Sequence, residues 1–314
     1  MTSPPCADAV TVTFWGVRGS IPTPGYDTSR YGGNTLCVEV GFPGCGRTLI
    51  IDAGSGIRRL GDDLLGRSGR QGGVAVDLLL SHTHLDHILG LPFFQPLYLP
   101  DTRVAVYGPA ISPEDRLEQV IGGQMSYRYF PVRQVELAAE IRYVDLREGA
   151  YDLGDGIRLS ATYLNHPLLC MGYRIEYRGR ALCTAFDTEP FRNLFVTDPA
   201  DPRYDEMMAQ EGEEESQAAA LRMRAFARGA DLLIHDGQFT EREYRAGRVG
   251  WGHSSVEYAV TLAEAAGSRR LALVHHDPTR TDDELDEMSQ RYGGVRPGSG
   301  LEVCFAAEGL SVTL

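Results

Sequence analysis

Short apolar runs that end in polar or glycine residues recur along the whole chain. These runs predict buried strands, because a helix of a globular protein normally needs about ten or more residues. The Arg178-Gly179 pair between two of them predicts a hairpin turn. The predicted strands cover residues 10–15, 36–41, 48–52, 76–81, 104–107, 157–164, 172–177, 181–186, 232–235, 271–274, 301–306 and 310–314.

Helices are predicted between these strands by their capping residues. Ser112 opens one helix, and the glycine pair Gly122-Gly123 ends it. The sequences SSVE, beginning at Ser254, and TDDE, beginning at Thr281, match the capping box. A further helix is expected over residues 86–97, anchored by its apolar side chains. Because strands and helices alternate, the pattern predicts an α/β protein.

One segment, residues 206–228, combines an acidic run with a helical, alanine-rich pattern. A solvated helix start explains this composition. The alternative is a mobile lid over a site, so the wider segment 191–230 is a possible helical lid insertion.

The sequence HTHLDH, from His82 to His87, directly follows the apolar run 76–81. Imidazole nitrogen and carboxylate oxygen are ligands for zinc and similar ions. A single buried histidine is usually a core residue, but three within six residues, with Asp86 among them, predict a metal site. His82 and His84 can face one ion, since alternate residues of an extended chain point the same way.

This motif resembles the signature of the metallo-β-lactamase superfamily, and other strand ends match it in family order: Asp52, His166, Asp187 and His275. The resemblance implies a four-layer αββα sandwich and two divalent metal ions. Zinc is the default metal, with manganese or iron as alternatives. By resemblance, His82, His84 and His166 bind one ion, Asp86, His87 and His275 bind the other, and Asp187 bridges both. His276 is an alternative last ligand, but the family's ligand directly follows the strand, which favours His275.

Length, composition and charge bear on the number of domains, the cellular location and the class of substrate. The ligand candidates extend from residue 82 to residue 275, so we expect a single domain over residues 1–314. No apolar run approaches the length of a membrane helix, and no secretory signal is visible, so a cytoplasmic protein without membrane contact is expected. The net charge of −13 disfavours a long nucleic acid as partner. The chain has no lysine, which excludes Schiff-base chemistry.

The C-terminal third resembles ribonuclease Z and its phosphodiesterase relatives. The stretch 231–239 matches a strand-histidine-acid motif, and Gly252-His253-Ser254-Ser255 matches a later histidine-serine motif. By resemblance, His253 donates a proton or hydrogen bond to the transition state, although a surface histidine would explain it too. Asp236 replaces a glutamate of ribonuclease Z, and the long glycine-rich arm that grasps transfer RNA has no evident counterpart. Both departures favour a smaller substrate.

The loop 16–25 and the turn 31–35 resemble a subgroup of bacterial proteins, some of them linked to cyclic-nucleotide hydrolysis. Arg18 could pair with a phosphate, and Asn34 in the glycine turn is a second candidate for substrate binding. Turn geometry alone would also explain these glycines.

The resulting hypothesis is a phosphodiesterase that cleaves a small phosphodiester, with a 3′,5′-cyclic nucleotide as the leading candidate. By resemblance, a hydroxide between the two metals attacks phosphorus, and Asp86 and His253 are the catalytic candidates. The candidate metal ligands by themselves do not identify the reaction, so two alternatives stay open: a carbonyl-ester hydrolase (lactonase or thioesterase) and a metal-binding sensor without turnover. Superfamily relatives often pair through an apolar surface, so a homodimer is also expected.

Overall fold

Two mixed β-sheets pack face to face in a computed structural model that describes residues 9–69, 73–109 and 116–314. The first sheet has the order β15-β1-β2-β3-β4-β5-β6. Its strands are β1 (Thr11–Gly16), β2 (Cys37–Phe42), β3 (Arg47–Ile51), β4 (Ala75–Leu79), β5 (Arg103–Pro109), β6 (Glu140–Leu146) and β15 (Ser311–Thr313).

The second sheet has the order β13-β14-β12-β11-β10-β9-β8-β7. Its strands are β7 (Gly149–Gly154), β8 (Ile157–Tyr163), β9 (Met171–Tyr177), β10 (Arg180–Ala185), β11 (Leu232–Asp236), β12 (Arg270–Val274), β13 (Gly294–Val295) and β14 (Glu302–Phe305). Strands β3 to β6 are parallel in the first sheet, and β10, β11, β12 and β14 are parallel in the second.

Helices cover the outer face of each sheet. They are α1 (Ile57–Ser68), α2 (Leu85–Ile88), α3 (Leu117–Gln124), α4 (Glu206–Phe226), α5 (Glu241–Arg245), α6 (Val256–Ala266) and α7 (Asp282–Tyr292). One apolar core joins the inner faces of the two sheets through residues such as Phe14 and Tyr173. Separate cores lie beneath α1 and beneath α6. This arrangement confirms the expected four-layer αββα sandwich.

Strand prediction succeeded because each apolar run is buried in one of the two sheets. Every predicted strand lies within a few residues of an observed one, and Arg178 and Gly179 form the hairpin turn between β9 and β10, with φ values of 47° and 79°. Strands β6 and β7 were not predicted. They are largely exposed, so they lack an apolar run.

Helix prediction was less accurate. The helix expected over 86–97 stops at Ile88, and 3₁₀ turns follow, because Pro92 and Pro96 cannot donate the backbone hydrogen bonds of a continuous helix. The glycine pair Gly122-Gly123 lies inside α3 and does not end this helix. The start that was expected for the helix, Ser112, lies outside the described residues.

The two capping predictions had different outcomes. The box at Thr281 is present, since Thr281 and Glu284 bind each other's backbone amides. Ser255, and not Ser254, caps α6, through the amide of Tyr258. The acidic segment forms α4, a largely exposed helix, so a helix is confirmed there, whereas the lid stays a prediction. Within the described residues, no helix combines the length and apolarity that crossing a bilayer requires.

Candidate metal centre

The functional side chains lie where the parallel strands of both sheets end. Asp52 follows β3, Asp187 follows β10 and His275 follows β12, and all three have positive φ values, of 60°, 34° and 59°. Such values are uncommon outside glycine and cost backbone free energy, so they concentrate at functional sites. Asp187 and His275 contribute to the clusters described below, and Asp52 supports His87.

The first cluster contains His82, His84, His166 and Asp187. Nδ1 of His84 lies 2.9 Å from Nε2 of His82 and 3.1 Å from Nε2 of His166. Oδ2 of Asp187 lies 3.6 Å from Nε2 of His82 and 3.9 Å from Nε2 of His166. Four donor atoms from both sheets therefore converge on one point.

The second cluster contains Asp86, His87, His275 and again Asp187. Nε2 of His87 lies 3.3 Å from Oδ2 of Asp86 and 3.2 Å from Oδ1 of Asp187. Nε2 of His275 lies 3.2 Å and 3.3 Å from the same two oxygens. Asp187 thus offers Oδ2 to the first cluster and Oδ1 to the second, the geometry of a bridging carboxylate.

Three observations indicate that these clusters fit divalent cations. Ligands of a tetrahedral zinc ion lie about 3.3 Å from one another, given bonds of about 2.0–2.1 Å, and the distances above bracket that value. Each cluster supplies only imidazole nitrogen and carboxylate oxygen, which is a zinc-type donor set. Nε2 of His87 and Oδ1 of Asp187 are buried and have no hydrogen-bond partner among the described residues. Unpaired buried polar atoms are costly, and a cation would satisfy both.

The imidazole of His87 is fixed from behind by Asp52. Oδ2 of Asp52 lies 2.7 Å from Nδ1 of His87, and the same carboxylate accepts hydrogen bonds from the amide and hydroxyl of Ser81. Because Nδ1 of His87 is engaged, Nε2 faces the cluster. The sequence identified Asp52 only as a position that matches the superfamily. Its support of His87 could not be predicted, because it depends on contacts between segments that are separate in the sequence.

Two more imidazoles are oriented in the same way by groups that sequence analysis missed. The carbonyl of Gly252 lies 3.0 Å from Nδ1 of His166, and Oε1 of Gln238 lies 3.2 Å from Nδ1 of His275. Both contacts leave Nε2 directed at the clusters. A backbone carbonyl carries no residue-type signal, so the role of Gly252 could not be read from the sequence.

The N-terminal loop closes one side of the second cluster. The amide of Ser20, a residue with φ of 63°, donates a 2.8 Å hydrogen bond to Oδ2 of Asp86. Gly19 lies so close to His275 that a Cβ on it would come within 2.3 Å of the imidazole. The glycine-rich loop is therefore packed against the candidate ligands through its backbone.

Charge differs between the two clusters. Burial lowers the pKa of His82, of His84 and of His166, which favours the neutral imidazoles that bind metals. In the second cluster burial also opposes charge, but Asp187 and Asp86 raise the pKa of His87 above its usual value. The second cluster therefore favours positive charge strongly.

A third group of side chains lies beside the two clusters. Nδ1 of His253 lies 2.9 Å from Oδ2 of Asp236, and the His253 ring stacks on that of His275 with centroids 4.7 Å apart. The His253 ring also lies 5.5 Å from that of His166. Its side chain is 12% exposed, so it faces both the clusters and solvent. His235 is buried and contacts the carbonyl of Asp236, so it supports this group from the core.

Arg18, a sequence candidate for phosphate binding, lies inside the protein. Its side chain is fully buried and donates to the carbonyls of Gly32, Asp277 and Arg280, with Asp282 nearby at 3.7 Å. The guanidinium therefore joins the N-terminal loop to the segment after β12. These hydrogen bonds hold the two segments together, and binding of a phosphate by Arg18 stays a prediction.

Asn34 is also engaged within the protein. Its side-chain amide donates to both carboxylate oxygens of Glu308, at 3.0 Å each, and its carbonyl accepts from the hydroxyl of Ser55. These bonds fix the glycine turn. Of the other sequence candidates, His276 points away from the clusters, since its Nε2 lies 2.8 Å from the carbonyl of Ala306. The geometry therefore favours His275 as the last ligand.

Comparisons with known proteins agree with this architecture. A family model described as a β-lactamase superfamily domain matches residues 47–203, half of the chain. A ribonuclease Z from Haloarcula marismortui is 28% identical over 331 aligned positions, which cover 95% of each chain.

Two solved structures share the fold across nearly the whole chain. The metallo-β-lactamase fold protein YhfI from Bacillus subtilis superposes with a TM-score of 0.63 at 17% identity, covering 98% of this chain and 100% of that one. A diphosphatase of the PhnP family superposes with a TM-score of 0.60 at 18% identity, covering 96% of this chain and 97% of that one.

Proposed function

This chain belongs to the metallo-β-lactamase superfamily, and from that premise we propose that it is a phosphodiesterase acting on small phosphodiesters, with 3′,5′-cyclic nucleotides as the leading substrates. Its two clusters would hold two divalent cations, zinc by donor type. When bound, such a pair activates water and stabilises negative charge on the reacting group.

The observation that carries the proposal is the pair formed by His253 and Asp236 beside both clusters. Asp236 holds Nδ1 of His253, so Nε2 is the ring nitrogen left to donate to a phosphate oxygen. An imidazole whose Nδ1 is held by a carboxylate presents Nε2 as the atom that can donate a proton or hydrogen bond. Phosphodiester cleavage needs both charge stabilisation and a proton for the leaving oxygen. His253 would serve both needs.

The relatives favour phosphorus chemistry over carbonyl chemistry. The aligned relative is a ribonuclease Z, and one of the proteins that share the fold is a diphosphatase. By the family resemblance, the commonest β-lactamases with two zinc ions carry a cysteine where this chain has Asp187, which argues against lactam hydrolysis.

A second candidate substrate is an RNA phosphodiester, favoured by the alignment with ribonuclease Z over 95% of the chain. Against it stands the net charge of −13, because long nucleic acids are normally gripped by basic surfaces. We therefore prefer the small substrate and treat RNA as an outcome of the test.

The test is a substrate panel with metal-replete protein: bis-p-nitrophenyl phosphate, cyclic AMP, a precursor transfer RNA, a homoserine lactone and a glutathione thioester. Turnover of the first two without the carbonyl esters is the expected result. Cleavage of the RNA alone would move the assignment to the second candidate. Carbonyl turnover without phosphodiester turnover would overturn the proposal. Two bound metals without any turnover would favour a sensor.

His253→Ala tests the residue that carries the proposal. General acid catalysis contributes about 10²–10⁴-fold, so turnover of cyclic AMP should fall by at least about 100-fold. Metal content, measured by elemental analysis, should stay that of the parent protein. Loss of metal in this variant would mean that His253 is a ligand, and its assigned role would be wrong.

A further inference from the structure

The loop that leads to His253 presents an exposed tryptophan. Trp251 is one of two tryptophans in the chain and is 54% exposed, although the guanidinium of Arg248 covers it at 4.3 Å from the ring centroid. The exposed part of the indole is accessible to a ligand.

Trp251 lies close in the chain to residues of the metal centre. It directly precedes Gly252, whose carbonyl binds His166, and it lies two residues before His253. The Arg248 guanidinium also lies 5.8 Å from the ring of Phe239, and that ring lies 6.2 Å from the ring of His253. The tryptophan therefore belongs to the rim of the site.

A buried carboxylate fixes the loop. Glu189, which is 7% exposed, accepts hydrogen bonds from the amide of Gly250 at 2.8 Å and from the hydroxyl of Tyr244 at 3.2 Å. Glu189 lies two residues after Asp187, and its own amide is bound by the carbonyl of Asn165. The loop is thereby anchored to the same segments that carry the candidate metal ligands. A surface fixed in this way loses little entropy when a ligand stacks on it.

We propose that Trp251, backed by Arg248, is a stacking platform for a planar heteroaromatic group, so that the substrate is a phosphodiester of a nucleoside. The inference rests on the proposed function and names the part of the substrate that the metals and His253 do not recognise. Stacking of a base on an aromatic side chain tolerates any base, because every base has a π-face. The positive charge of Arg248 would also attract the phosphate-bearing ligand to this rim.

The binding test compares adenosine 5′-monophosphate with ribose 5-phosphate, which has the same phosphate but no base, by calorimetry on metal-loaded protein. The parent should bind the nucleotide at least about tenfold more tightly. Trp251→Ala should abolish that preference, and Trp251→Phe should restore part of it. Trp15→Phe is the matched control, because Trp15 lies on β1 and donates to Glu39. Equal affinities in the parent, or an unchanged preference in Trp251→Ala, would overturn the platform.

A turnover test separates this inference from the proposed function. Thymidine 5′-p-nitrophenyl phosphate and methyl p-nitrophenyl phosphate share a leaving group, and only the first carries a nucleoside. The ratio of their kcat/KM values should fall about tenfold or more in Trp251→Ala. Base-dependent binding without hydrolysis of either ester would retain the platform and reject the phosphodiesterase. Hydrolysis of both esters, with a ratio of kcat/KM values that the substitution leaves unchanged, would retain the phosphodiesterase and reject the platform.

Discussion

At the scale of single residues, the candidate ligands are held through the atoms that do not face the clusters. His87 is held by Asp52, His166 by the carbonyl of Gly252 and His275 by Oε1 of Gln238. Each contact selects which atom turns towards the cation, so the geometry is fixed before an ion binds. The affinity of the clusters for metal should therefore also depend on residues that do not contact the metal.

Asp52→Asn tests this dependence. An amide cannot supply the negative charge that holds Nδ1–H of His87, so affinity at the second cluster should fall about 10- to 100-fold. The measurement is a competition titration of the protein against a chromogenic chelator. Asp77→Asn is the control, because Asp77 lies on β4 and pairs with Arg47, away from the clusters. Parent-like affinity in Asp52→Asn would show that His87 needs no such support.

Residue types explain which parts of the site could be predicted from sequence. Histidine and aspartate at strand ends have few structural uses in such numbers, so the candidate ligands, such as His82 and Asp187, were found, and the structure brings them together. Arginine and asparagine are ambiguous. Arg18 was expected to bind a phosphate, which stays a prediction; its observed partners are backbone carbonyls, two of them more than two hundred residues away in the sequence. No local sequence pattern predicts such hydrogen-bond partners.

At the scale of elements, burial decided what could be predicted. Runs such as β4, which is buried after its first residue, were recognised, whereas β6 and β7, in which exposed and half-buried positions predominate, were missed. Helix α1 was missed for another reason. It begins after Gly56 without a side-chain cap, so the capping signal that identified α7 is absent.

The loop before α6 gives a prediction at this scale. Gly252 has φ of 84°, and a Cβ on it would lie 2.3 Å from Nδ1 of His166. Gly252→Ala should therefore cost stability and also displace His166, which lowers metal occupancy at the first cluster. Gly267→Ala is a matched control, since Gly267 has φ of 66° and open space around its Cβ position.

Both glycine variants should lose about 1–2 kcal/mol in urea unfolding, the cost of a left-handed alanine. Only Gly252→Ala should lose metal after dialysis, as measured by elemental analysis. Equal metal content in the two variants would mean that the carbonyl of Gly252 does not position His166.

The capping box of α5 gives a prediction about pH. Glu243 accepts from the amide of Thr240 and pairs with Arg280. Burial opposes its charge, but these partners lower its pKa from 4.5 to about 2. A carboxylate whose pKa is lower in the folded state stabilises the fold above its unfolded pKa. That contribution is lost as the pH falls towards 2.

Glu243→Gln should therefore destabilise the protein at pH 7 by about 1 kcal/mol, a modest value because the carboxylate is 35% exposed. The difference from the parent should shrink once the pH falls below about 4.5. Urea midpoints of both proteins, measured with chelator present so that metal release does not interfere, give the comparison. A difference that is constant with pH would contradict the assigned ion pair.

At the scale of the whole molecule, the candidate metal centre joins the two sheets. The first sheet supplies the ligands that follow β4, from His82 to His87, and the second supplies His166, Asp187 and His275. Direct bonds between the sheets reinforce the same edge, since the amide of Met171 donates to Ser81 and the hydroxyl of Tyr173 donates to Leu80. Separating the sheets would break both clusters.

Metal removal should therefore destabilise the entire fold and not only the site. A ligand present at a hundred times its dissociation constant stabilises the native state by about 2.7 kcal/mol, so chelation should lower Tm by about 5–10 °C. Asp187→Asn provides the control, because without the bridging carboxylate neither cluster is complete, and chelator should shift its Tm by far less. Calorimetric scans with and without chelator measure both shifts. Equal shifts in parent and variant would show that the metals do not couple the sheets through Asp187.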